Sequence, residues 1–132
     1  MATEETINDV RVVFRDTIGA KLGWDLMVPM NRLGEALVAK TLELEKEAQA
    51  VQGTDEPIDD IFIPGKDVMQ IVHDSLGWDT CVALVRAGVE EWDFSGDLTT
   101  DECCDELDLI EELFPIIVKA RGIYLGVSPS GE

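Results

Sequence analysis

The sequence predicts an all-α fold, an array of helix–loop–helix units with short β segments in the loops. Three observations predict it. Apolar residues recur at three-to-four spacing along most of the chain, prolines stand where helices would open, and glycines stand where they would stop. Residues 63–102 show the pattern best. They contain a loop end, a helix opened by Pro64 and stopped by Gly77, a second helix, and an acidic loop around Gly96 that leads into a third.

Taken in order, the first helix is predicted over residues 3–22, with Ile7, Val10, Phe14, Ile18 and Leu22 on one face and Gly23 as its stop. The second opens at Pro29, where a missing N–H costs nothing, and carries the stripe Met30, Leu33, Leu37, Leu44, Ala48 and Val51 up to Gly53. Residues 53–65 read as a loop, with a short strand at Ile61, Phe62 and Ile63. A third helix follows over 66–76 and a fourth over 79–92, the latter burying Val82, Val85, Val89 and Trp92. Thr99 and Glu102 have capping-box spacing for a fifth, whose stripe is Cys103, Leu107, Ile110 and Phe114, and Pro115 should kink or restart it. The tail over 123–127 reads as a short strand, with frayed residues beyond. Two lobes result, residues 1–77 with two units and residues 78–132 with a third unit and a short tail.

At 132 residues the chain can bury a real core. Its balance of 28 Asp and Glu against 10 Lys and Arg gives a net charge of -18, which repels nucleic acid and anionic lipid and favours a basic partner or cations. Direct nucleic-acid binding and membrane association are excluded as expectations. The N-terminus M-A-T-E-E-T has neither the basic region nor the apolar core of a secretory signal, and three cysteines make a poor disulfide framework, so a cytoplasmic protein with reduced thiols is expected.

Several segments are similar to one family. T-E-E-T-I-N-D-V-R-V-V-F at 3–14 resembles an opening helix of calmodulin type. I-P-G-K-D-V-M-Q-I-V-H-D-S-L-G at 63–77 resembles a loop end with its exiting helix, and E-E-W-D at 90–93 followed by F-S-G-D-L-T-T-D-E resembles a helix end with its loop. The chain thus resembles the EF-hand superfamily, calmodulin and especially the myosin light chains. With Val28 and Ile63 as central β positions, three loops would begin near Lys21, Glu56 and Asp93, at nearly equal intervals.

Calcium needs oxygen ligands at alternate loop positions, a glycine at the sixth and a bidentate glutamate at the twelfth. The first loop would place Lys21 and Arg32 at its two ends, where carboxylates must sit. The second has Glu56 and Asp60 but Ile58, Ile61 and Asp67 at three critical positions. The third offers Asp93, Ser95, Asp97, Asp101 and Glu102, a vestigial metal set in which Leu98 replaces the glycine and Glu102 arrives early. No cofactor is therefore expected, and calcium at most at this third loop.

The resemblance implies a non-enzymatic, light-chain-like or calmodulin-like subunit that binds a basic amphipathic, IQ-type helix of a partner such as a myosin heavy chain, largely without calcium. Its partner-binding groove would include Met27, Met30, Leu33, Leu37, Val68, Met69, Val72, Val85 and Val89. An apolar stripe at helical spacing is more often core, so only an uncovered groove would make these residues functional. The alternative is an acidic nucleic-acid mimic, in which Asp101, Glu102, Asp105, Glu106, Asp108, Glu111 and Glu112 stand in for phosphates and inhibit a DNA- or RNA-binding partner. Two weaker patterns are a carrier-protein tripeptide, Asp74-Ser75-Leu76, and a zinc site drawn from His73, Cys81, Cys103 and Cys104 without ligand spacing. No nucleophile motif, acid–base pair or phosphate loop suggests an enzyme.

Overall fold

The computed structural model describes residues 2–58 and 61–126. Their element order is β1 (Thr3–Ile7), β2 (Val10–Phe14), α1 (Ala20–Gln52), α2 (Gly65–Gly88), β3 (Val89–Trp92), a π-helical turn (Leu109–Leu113) and α3 (Phe114–Tyr124). The all-α expectation is overturned by a three-stranded antiparallel sheet of order β1-β2-β3, and an EF-hand-like array goes with it. The fold is mixed α and β.

The predicted first helix is a β-hairpin. Five of the residues from Val10 to Phe14 and Thr3 to Ile7 are valine or threonine, and a sixth is Ile7, side chains whose branched Cβ loses rotamers in a helix and packs well on a pleat. Asn8 and Asp9 both have positive φ, 51° and 64°, the mark of a type I′ turn, whose twist matches that of the flanking strands. The turn sets the register, with Ile7 opposite Val10 and Thr3 opposite Phe14. On the other side β2 pairs with β3, Val12 opposite Trp92 and Val13 opposite Glu91. Phe14 then faces Val89, so Glu90 is the extra residue of a bulge.

Residues of the expected first loop, Lys21 to Arg32, are helical throughout, because α1 begins at Ala20 and passes through Pro29 instead of starting there. Pro29 leaves the carbonyl of Asp25 without its usual donor. At the far end Gly53 adopts φ 68° and Thr54 N–H donates to the Gln49 carbonyl at 3.0 Å, a Schellman closure. Ile61, Phe62 and Ile63 form no strand, and Phe62 is 80% exposed. The helix of Gly65–Gly88 is broken where the glycine spacing predicted, at Gly77 with φ 74° and ψ 170°. Ile123 and Tyr124 belong to α3 and not to a strand, and Val127 lies outside the described residues, as does Asp60.

The residues group into two compact units, one of residues 2–27 with 78–126 and one of residues 28–77. The first unit thus draws on the N-terminal segment as well as the C-terminal one. The first unit buries Val12 and Phe14 of the central strand, Leu84, Val85 and Val89 around the end of α2, Cys103 and Cys104, and Ile116, Ile117 and Ala120 of α3. The second buries Met30, Leu33, Val72, Ser75 and Leu76, while none of its described side chains from Gly34 to Ile71 is buried. No described helix is long and apolar enough to cross a membrane.

Candidate acidic interface

Between Arg86 and Lys119 the sequence holds eleven Asp and Glu and no Lys or Arg. Burial pushes these acids outward. In D-E-C-C-D-E, Cys103 and Cys104 are each 1% exposed, so Asp101, Glu102, Asp105 and Glu106 on either side are left in solvent. The loop that carries them is closed by backbone contacts. A Cβ on Gly96 would collide with the carbonyl oxygen of Cys103, and Trp92 Nε1 donates to the Gly96 carbonyl at 2.7 Å while its ring meets Phe94 edge-on at 5.2 Å.

Arg86 clamps the next turn from the end of α2. Its Nε donates to Leu98 O at 2.9 Å, its Nη2 to Thr99 O at 3.2 Å, and its Nη1 pairs with Asp101 Oδ1 at 2.8 Å. Asp97 Oδ1 accepts from the N–H and hydroxyl of Thr99, at 2.9 and 2.7 Å, and these bonds hold its carboxyl below the usual range. On the sheet, Arg11 of the central strand meets three carboxylates, Glu4 at 2.7 Å, Glu91 at 3.5 Å and Asp93 at 3.8 Å. Its own pKa is raised, by the Glu4 hydrogen bond first.

The following helix starts later than its predicted capping box. Asp108 is the N-cap: its Oδ1 accepts from Ile110 N–H at 3.1 Å and Glu111 N–H at 2.8 Å, and Glu112 Oε1 accepts from Asp108 N–H at 2.8 Å. Asp108 accepts at the ordinary second and third positions, whereas the return bond to Glu112 spans one residue more than in an ordinary box, in keeping with the π-helical turn. Pro115 then sits in the first turn of α3, the restart that its ring favours. This phase turns Leu109, Ile110, Val118 and Leu125 outward, 50 to 53% exposed. Helical spacing predicts Ile110 on the buried stripe, and the Asp108–Glu112 pair is the sequence signal for its outward phase.

The vestigial metal set is dispersed among these tasks. Asp93 faces Arg11, Asp97 caps Thr99, Asp101 pairs with Arg86, and Ser95 and Glu102 are exposed. Among the described residues no three His, Cys, Asp or Glu are grouped to hold a metal ion. His73 is exposed and bonds Asp74 at 3.0 Å, whereas Cys81, Cys103 and Cys104 are buried and form no disulfide, the Cys103 and Cys104 sulfurs lying in hydrogen-bond contact at 3.7 Å. Burial pushes the Cys81 thiol up to about 11 and also raises that of Cys104, which suits packing better than nucleophilic attack. Ser75 is buried, which does not suit a carrier attachment point.

The nine residues expected to line a groove fall in both units. Val85 and Val89 are core of the first. Met27 also belongs to the first and is 44% exposed, whereas Met30, Leu33 and Val72 are buried in the second and Leu37, Val68 and Met69 half-buried there. No protein-family model matches the chain, and neither a curated protein nor a solved structure does.

Proposed function

We propose that this chain is a non-enzymatic binding protein that takes a basic amphipathic helix of a partner protein on its acidic face, with Leu109, Ile110 and Val118 receiving the apolar side of that helix. The observation that carries the reading is the conjunction of eleven acids in a segment with no Lys or Arg of its own and exposed aliphatic side chains in the same segment. An IQ-type helix of a myosin heavy chain has this chemistry. Calcium has no part in the reading, and three reduced, buried cysteines fit a cytoplasmic site of action.

A titration tests it. A synthetic helix with Arg and Lys on one face and Leu on the other should bind the full chain with the same affinity in calcium and in chelator. Ile110→Ser with Val118→Ser should weaken binding about tenfold or more, since two buried aliphatic contacts are lost. Charge reversal at Asp105 and Glu106 should weaken it further and flatten its salt dependence. Absence of binding by the unaltered chain would refute the proposal. The density of carboxylates also favours a second reading, a nucleic-acid mimic. That reading requires duplex DNA to displace the chain from a DNA-binding partner, with the serine substitutions having no effect.

A further inference from the structure

The second unit presents a different surface. Along the outward face of α1, Glu35, Val38, Leu42 and Lys46 follow one another at three-to-four spacing; Val38 is 60% and Leu42 54% exposed. Neither Glu35 nor Lys46 has an ion pair among the described residues. The two charges flank the aliphatic pair symmetrically, acid one turn before and base one turn after.

Such a stripe is complementary to itself when reversed. We propose that a second copy of this chain docks here, its α1 antiparallel to the first about a two-fold axis level with Lys40. Val38 then meets the partner's Leu42 and the reverse, while Glu35 lies within one residue of the partner's Lys46 at both ends. That is the isologous geometry a two-fold contact requires. Parallel stacking would set like charges together and loses this match.

Charge selects the occupant. Residues 28–52 carry Arg32, Lys40 and Lys46 against Glu35, Glu43, Glu45 and Glu47, a net of -1 out of the chain's -18. Two copies of so acidic a protein can approach only where the charge is nearly balanced, and this helix is that place. A basic partner would find far more negative charge between residues 87 and 118. The absence of any buried side chain from Gly34 to Ile71 among the described residues points the same way, because two helices by themselves leave their apolar stripes half-covered.

Sedimentation equilibrium of the full chain, from about 10 µM to about 1 mM at physiological salt, is the test, since a contact of one helix pair is weak. The expected result is a monomer–dimer equilibrium. Glu35→Lys alone and Lys46→Glu alone should each raise the dissociation constant about tenfold, because each converts two attractions into two repulsions. Combined in one chain, E35K/K46E should return it to near the original value. All four side chains face solvent, so circular dichroism should be unchanged. A chain that stays monomeric throughout, or a dimer that ignores the single reversals or is not rescued by the double one, overturns the proposal.

Discussion

Gly88 and Ala120 bring the end of α2 and the middle of α3 together: a Cβ placed on Gly88 would stand 2.9 Å from the Cβ of Ala120 and 3.2 Å from its Cα. The backbone of Ala120 cannot retreat without moving Ile116, Ile117 and Ile123, all buried. Gly88→Ala should therefore cost about 1–3 kcal/mol in denaturant unfolding. Adding Ala120→Gly should recover part of that loss, a coupling that only direct contact produces. Gly122 has open space around it, and Gly122→Ala should stabilise α3 by about 0.5–1 kcal/mol.

Arg86 holds Leu98, Thr99 and Asp101 with one planar fork. Arg86→Met should free that turn and lower stability by about 1–2 kcal/mol, less than three buried bonds would contribute because the ion pair is largely in water. Amide exchange at residues 97–101 should accelerate more than in the strands. Arg86→Lys should fail to restore it, since an ammonium cannot reach three acceptors in the geometry of a guanidinium.

Asp9 occupies a turn position with φ 64°. Asp9→Gly should stabilise the hairpin by about 0.5–1 kcal/mol, because glycine takes this conformation without Cβ strain, and Asp9→Val should destabilise it. Thermal unfolding of both variants decides the matter.

The Cys81 thiol titrates near 11 in the folded chain against an ordinary 9.0. Its neutral form is favoured by the fold, so its contribution to stability is complete below pH 9 and is lost as the pH rises from 9 to 11. The melting temperature should fall across that window. Cys81→Ala should cost about 1 kcal/mol at neutral pH through the lost sulfur, yet decline less steeply on the alkaline side. Cys104, whose pKa is also raised by burial, leaves some of the slope in place.

Legibility in the sequence followed the range of the signal. Gly77 and Gly53 end helices where their spacing said they would, because a left-handed residue is a local demand that few neighbours can override. Pro115 restarts a helix for the same kind of reason. The hairpin is less legible because Ile7, Val10 and Phe14 fit a helical face as well as a strand, and the residues that decide for the strand are the β-branched ones and the Asn8-Asp9 turn. Pro29 misled in the opposite direction. It reads as a helix start, yet here the helix begins nine residues earlier and bears the missing hydrogen bond. In the acidic segment the charge was plain from composition, but the outward phase of Ile110 depends on a π-helical turn that periodicity at 3.6 residues cannot register.

The pairing of Phe14 with Val89 joins strands from opposite sides of the whole 28–77 unit. During synthesis the β1-β2 hairpin leaves the ribosome long before its third strand exists. Until Trp92 emerges, Val12, Val13 and Phe14 present an open strand edge and uncovered apolar side chains. Helix formation in the intervening residues shortens the span that must be closed, which softens an entropy that grows with the logarithm of loop length. Folding speed should thus be governed by the segment that contributes no strand to the sheet, and a chain stalled before residue 89 is the species most exposed to aggregation.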